Sequence, residues 1–261
     1  MTEASTPALF QSERQRQIVA LTMKGGRAEV SELADRFQVT TETIRRDLSD
    51  LQGQRVLRRV HGGAIPWESE GFEPLLSVRS DLHYSEKNRL ALAAVSELPD
   101  SGAVIIDSGS TLTTFARAVP SDARLRVVTN SLTVAQVLAE HESLDVIVIG
   151  GKVRKNTLAM VDAEAVASVE PLRVDTLFIS SDSASPNTGL TTPYREEAAL
   201  KQSMIAAARR VVALVDHTKF RSDQFVRFAE WSDVDILITN TELDPTVVAS
   251  IEATGTTVRL A

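Results

Sequence analysis

Between Ser12 and Leu51 apolar residues recur at helical spacing, whereas from Ala103 onward short apolar runs alternate with amphipathic stretches, so the change of period divides the chain in two. A first helix is expected over about Ser12 to Met23, with Ile18 and Leu21 inward and Gly25-Gly26 ending it. A second carries Leu33, Ala34 and Phe37. Gln38, Val39 and Thr40 separate it from a third, on which Ile44, Leu48 and Leu51 share a face and Thr40 is the N-cap. That spacing, over about residues 30–49, suits a helix-turn-helix. The third helix turns Thr41, Glu42, Arg45, Arg46 and Ser49 outward, with Thr43 between them. Val56 to Val60 then alternates apolar and basic residues and runs into Gly62-Gly63, a short hairpin that sets Arg58, Arg59 and His61 beside that helix. Exposed arginines are commonly a solvated face; they also pair with phosphates or read guanine edges bidentately.

After Ala64 the composition shifts. Pro66 to Pro74 holds two prolines besides Gly71 and several acids, a hinge signature, and residues 67–84 are expected to be a linker between a domain over 12–66 and another over 85–261. The second domain opens with a helix over about Ser85 to Leu98. Strands are expected at Val104–Ile106, Leu125–Val128, Val146–Ile149, Thr176–Ser180, Val211–Val215, Ile236–Thr239 and Thr257–Leu260. Helical patterns lie between most of them, as at Leu132–Ala139, Glu196–Arg210 and Pro245–Ala253. Such alternation implies an α/β fold with a parallel, Rossmann-like sheet, and places any ligand beyond the carboxyl ends of its strands.

Composition sharpens this division. The chain has 261 residues, 43% hydrophobic, enough for one large and one small core. Its net charge is −7, yet Ser12 to Ile65 holds ten Lys and Arg against seven Asp and Glu, so that segment carries +3 and the rest −10. A basic headpiece on an acidic body can bind nucleic acid without wrapping it indiscriminately. Cysteine is absent, which removes disulfides, thiolate metal sites and Cys nucleophiles and suits a reducing compartment. Neither a basic-then-apolar leader nor an apolar run of membrane length is found, so a cytoplasmic protein without a membrane partner is expected.

The strand ends carry the candidate chemistry. Asp107-Ser108-Gly109-Ser110-Thr111 follows the first strand and opens a helix; such a loop is either a phosphate cradle or an ordinary capped turn. Asn130, with its neighbours Thr129 and Ser131, follows the second strand. Gly150, Gly151 and Lys152, with Arg154, follow the third, and Asp216 with Lys219 the fifth. Glu196, Glu197 and Lys201 add opposite charges at helical spacing, where an ion pair between Glu197 and Lys201 stands beside a ligand role.

Thr-x-Thr-Ile-Arg-Arg-Asp-Leu and Leu-Arg-Arg-Val-His-Gly-Gly-Ala resemble the winged helix-turn-helix of DeoR-family transcriptional regulators, with Arg55 where that family usually has Gly. Asp-Ser-Gly-Ser-Thr, Val-Val-Thr-Asn-Ser, Gly-Gly-Lys-Val-Arg, Gly-Leu-Thr-Thr-Pro and Asp-His-Thr-Lys-Phe resemble the family's C-terminal sugar-phosphate sensor domain, whose fold is similar to ribose-5-phosphate isomerase. The resemblance implies a repressor of a carbohydrate operon that binds double-stranded operator DNA as a homo-oligomer, dimer or tetramer. It also implies release by a hexose or ketose phosphate, with fructose 1-phosphate as the specific candidate. In that reading Ser108, Gly109, Ser110 and Thr111 cradle the phosphate, and Lys152, Arg154 or Lys219 neutralise it. Asp107, Asn130, Glu196 and Asp216 receive sugar hydroxyls, and Gly150, Gly151 and Lys201 complete the site. No catalytic residue, metal or cofactor is expected. The related isomerases carry a Gly-Ala-Asp-Glu type string where this chain has Ser180-Ser181-Asp182-Ser183-Ala184, in which Asp182 remains but no Glu follows it, so a missing base weighs against an isomerase with an appended headpiece. A second domain that only oligomerises is the other alternative.

Overall fold

The computed structural model describes residues 10–54, 56–66, 75–221 and 223–261, and the chain forms two units that divide between Pro74 and Leu75. Unit 1 opens with α1 (Gln11–Gly25), which stops at Gly26 in the left-handed region, φ 72°. Ile18 and Val19 are buried along it, but Leu21 is half-exposed and Thr22 takes the inward position instead. The Thr22 hydroxyl donates to Ile18 O at 2.7 Å, which makes that burial affordable. The short strand β1 (Ala28–Glu29) leads into α2 (Val30–Phe37), and α3 (Thr41–Gly53) follows after a turn in which Gln38 has φ 52°. Leu33, Ala34 and Phe37 are buried on α2 and Ile44, Leu48 and Leu51 on α3. Thr40 caps α3 by accepting from the Thr43 N–H at 3.2 Å. β2 (Leu57–Val60) and β3 (Gly63–Pro66) form the hairpin, and β1 pairs with β3 on its other side. Gly63 is required there: a Cβ on it would lie 2.1 Å from Ala28 O. Arg55 and residues 67–74 lie outside the described residues.

The expected linker is shortened from its far end. Within 75–84 the chain forms α4 (Leu76–Asp81), because Leu76 is buried and the Lys87 ammonium donates to the carbonyls of Arg79 and Leu82 that end the helix. α5 (Tyr84–Ala94) follows. Next come β4 (Gly102–Ile106), α6 (Ser110–Ala118), β5 (Leu125–Thr129), α7 (Leu132–Leu138) and β6 (Asp145–Val148). A small hairpin, β7 (Val153–Arg154) with β8 (Ala159–Met160), leads into α8 (Ala163–Val169) and β9 (Thr176–Ile179). β10 (Ser183–Ser185), β11 (Gly189–Thr192), α9 (Arg195–Ala207), β12 (Val211–Leu214) and β13 (Val226–Ala229) come next, before β14 (Ile236–Thr239), α10 (Pro245–Glu252) and β15 (Thr257–Leu260).

Seven of these strands make one parallel sheet in the order β15-β14-β12-β9-β4-β5-β6. Alternate residues of the central strands face opposite layers. Ile105, Leu177, Ala213 and Leu237 pack with Ala165, Val169, Leu200, Met204 and Ile251 of α8, α9 and α10. Val104, Ile106, Phe178, Val212 and Leu214 pack with Leu90, Ala94, Leu112, Phe115 and Leu138 of α5, α6 and α7. Burial on both faces explains why these strands read as continuous apolar runs. The chain winds outward from β4 to β6 and then returns to β9 on the other side of β4, so the strand order reverses between β4 and β9. That switch point opens the crevice in which doubly wound sheets take ligands.

Candidate functional site

In unit 1, Thr41, Glu42, Arg45, Arg46 and Ser49 are exposed on α3, Thr43 is half-buried, and Arg58, Arg59 and His61 are exposed on the hairpin. The hairpin is tied to α3 through Arg59, whose Nη1 donates to Ser49 Oγ at 2.7 Å and whose backbone N–H donates to Gln52 Oε1 at 2.9 Å. Arg45 approaches Glu42 at 3.4 Å, an exposed pair that contributes little. Arg46 and Arg58 have no ion pair among the described residues. Behind this face Asp47, 1% exposed, takes Arg14 Nε at 2.6 Å and Nη2 at 3.3 Å, fixing α3 against α1. The result is a rigid helix presenting guanidinium groups to solvent.

In unit 2 the loop after β4 reaches the N-terminus of α6 through Gly109, φ 114°, and no side chain among the described residues caps that helix. Ser108, Ser110 and Thr111 are buried around it. Among the described residues a Cβ on Gly109 would meet nothing within 4 Å, which leaves open space in front of the loop among them. The Thr113 hydroxyl donates to Gly109 O at 2.9 Å and joins Thr133 and Ser131 in a hydroxyl chain at 3.0 Å per step, linking the starts of α6 and α7. Asn130 is 1% exposed; its Nδ2 donates to Met160 O at 3.2 Å, and its Oδ1 has no partner among the described residues.

Charges cross the switch point. Lys201 pairs with Asp107, donates to Ser180 O at 3.0 Å and lies 3.7 Å from Glu197. Burial alone would lower the Lys201 pKa, but the charges of Asp107 and Glu197 outweigh it and raise it. Arg154 pairs with Glu197 at 2.5 Å and stacks over Tyr194 at 3.8 Å. Asp182, beyond β9, takes Arg79 at 3.3 Å on one oxygen and the Thr192 hydroxyl at 2.9 Å on the other. Burial alone would raise its carboxyl; Arg79, Lys219, Lys201 and Thr192 together hold it below the usual range. Asp216 is likewise held low against its burial, by Lys219, the Thr218 hydroxyl, Lys87 and His83. Lys219 is lowered by burial and then by Arg79, and Lys87, 4% exposed, is lowered to about 7 by burial and then by Lys219.

Two family models cover this architecture. Residues 14–70 match the DeoR-like helix-turn-helix domain, and residues 82–241 match the DeoR C-terminal sensor domain. The chain belongs to the DeoR family. It is 35% identical to the HTH-type transcriptional regulator GlpR of Haloferax volcanii over 96% of this chain and 98% of that protein. It is 30% identical to the glycerol-3-phosphate regulon repressor of Escherichia coli, over 88% of this chain and 91% of that one. Ribose 5-phosphate isomerase A from Neisseria gonorrhoeae is similar over 52% of this chain and 53% of its own, at 17% identity and a TM-score of 0.39. Among the described residues no helix is long and apolar enough to cross a membrane.

The DeoR sensor unit rearranges several of the residues expected at its site. Glu196 is exposed and turned away, because a helix turns about 100° per residue and α9 points Glu197 and Lys201 inward instead. Lys152 is exposed, and its backbone N–H goes to Asp162 Oδ2 at 2.9 Å. Gly151, φ 123°, is needed by the turn, since a Cβ would lie 2.4 Å from Asp162 Oδ1; Gly150 adjoins it in the same turn. Asp107, Arg154 and Lys201 are engaged with one another or with Glu197 rather than open. Ser108 to Thr111, Asn130, Asp216 and Lys219 remain at the strand ends. Arg79, Lys87 and Asp182 complete the charge cluster, and the first two carried no sequence signal because their stretch has no motif and lies beside the hinge.

Proposed function

We propose that this DeoR-family protein is a repressor of a carbohydrate operon, that α3 and the hairpin bind its operator, and that a phosphorylated sugar at the carboxyl edge of the sheet releases it. The observation that carries the sensor reading is the uncapped start of α6. Its first N–H groups emerge among buried hydroxyls in front of open space, which is what a phosphate satisfies. The unpartnered Asn130 Oδ1 suits a sugar hydroxyl. The names of its relatives support a carbohydrate-linked regulon, one of them for glycerol 3-phosphate. A low Asp182 pKa argues against an isomerase base, since the carboxylate is tied to Arg79 and Thr192 and is a poor proton acceptor near neutrality. Fructose 1-phosphate is the effector we propose to test first.

The test uses the full chain and a duplex selected by it from a random-sequence library. Affinity is measured while fructose 1-phosphate, glucose 6-phosphate and glycerol 3-phosphate are titrated, with their unphosphorylated parents as controls. Saturable release by a phosphorylated sugar and not by its parent is the expected result. Turnover of any of them, or no response to all of them, refutes the reading.

A further inference from the structure

α4 is the first element of unit 2 along the chain, and it is fastened to the sensor at both ends. Leu76 is buried and its N–H donates to Asn156 O at 2.7 Å, while Lys87 closes the last turn by donating to the carbonyls of Arg79 and Leu82. Between these anchors Arg79 extends from α4 to Asp182, the residue that follows β9 at the switch point. Arg79 Nη2 meets one carboxylate oxygen of Asp182 at 3.3 Å, and the other oxygen already holds the Thr192 hydroxyl. Lys219 faces Asp182 and Asp216 from beyond β12, and Lys87 faces Asp216 from α5. Arg79 and Lys219 thus converge on Asp182 and Asp216, with Lys87 and Glu86 of α5 beside them, while Lys201 is already paired with Asp107. A guanidinium can make two parallel bonds to a phosphate, which a neighbouring carboxylate competes for.

Resting on the reading of unit 2 as an anion sensor, we propose that Arg79 is an effector-binding residue and that the ligand anion replaces Asp182 as its partner. Asp182 is then an internal competitor that sets the threshold of response. Because Arg79 sits on the helix that follows the headpiece in the chain, its change of partner alters how α4 is seated and so couples ligand binding to DNA binding. An effector acts only through its differential affinity for the two states, and here that difference is the exchange of Arg79 from Asp182 to the ligand.

The two partners predict opposite effects, which a merely structural role does not. The full chain is titrated by calorimetry with whichever of fructose 1-phosphate, glucose 6-phosphate and glycerol 3-phosphate binds wild type, and the same probe is used to release the selected duplex. Asp182→Asn removes the competing charge and is expected to tighten probe binding about tenfold, about 1.4 kcal/mol, with release at correspondingly lower concentration. Arg79→Gln is expected to weaken binding at least tenfold and to hold the duplex at concentrations that release wild type; Arg79→Lys should fall between. Melting curves confirm folding, and should Arg79→Gln not fold, Arg79→Lys and Asp182→Asn carry the comparison. If wild type responds but Asp182→Asn binds no tighter, or a folded Arg79 variant binds as wild type does, the proposal is overturned and the sensor reading survives. If wild type binds no sugar phosphate, both fall.

Discussion

A buried lysine held near neutrality makes the stability of the sensor unit rise with pH, and the size of the effect follows from its environment. Lys87 is 4% exposed, and burial, Lys219 and Arg79 lower its pKa to about 7, with Asp216 and Glu86 opposing them. In the unfolded chain a lysine titrates at about 10.4. Between these values the unfolded state binds more protons than the folded one, so stability increases with pH across that window and the penalty is complete below it. From pH 7 to pH 9 the unfolded lysine stays charged while the folded one loses its proton, which amounts to a gain of about 2 kcal/mol. With a urea dependence of about 2 kcal/mol per molar, the midpoint moves up by about 1 M. Unfolding can be followed by the emission of Trp231, which is buried in unit 2, in a Trp67→Phe background. Lys87→Met should remove most of the rise. A flat midpoint in wild type over that range, or an identical rise in Lys87→Met, refutes the assignment.

Three further outcomes follow from the contacts described. Asp47→Ala removes the buried carboxylate that takes Arg14 Nε and should cost unit 1 about 1.5–3 kcal/mol in thermal melting, whereas Arg14→Met combined with Asp47→Leu should recover most of it; an unshifted melt in Asp47→Ala refutes this. Arg45→Ala with Arg46→Ala should abolish binding of the selected duplex while leaving sugar-phosphate binding intact, losing about 1–3 kcal/mol per bidentate base contact and flattening the salt dependence; undiminished affinity removes α3 from the interface. Gly109→Ala should lower the melting temperature through backbone strain of about 1–3 kcal/mol, because φ is 114° although the space is open. Gly109→Asp adds a negative charge and should also lose the response to sugar phosphate while keeping DNA binding; release at the wild-type concentration moves the phosphate elsewhere.

Periodicity alone determined much of this architecture. The seven expected strands each coincide with a strand of the parallel sheet; for the central β9, β12 and β14 this is because a strand buried on both faces needs an unbroken apolar run, whereas the edge strands β6 and β15 are largely exposed. The headpiece was equally legible, since Ile44, Leu48 and Leu51 had to share a face and thereby turned Arg45 and Arg46 outward. The antiparallel strands β10, β11 and β13 were not read: all are short, β10 and β11 are rich in Ser, Thr and Gly, and the three are stabilised by pairing with one another rather than by pattern. Side-chain partners were decided by the tertiary structure. Helical spacing brought Glu197 and Lys201 together, but only the crossing of α9 over the sheet gave Lys201 to Asp107, separated from it by 94 positions. The same holds for Arg79 and Asp182, 103 positions apart, in a stretch that composition marks as a hinge. A chain's local pattern specifies which residues must leave water; which charges then meet depends on strand order, and no spacing in the sequence records that the order reverses between β4 and β9.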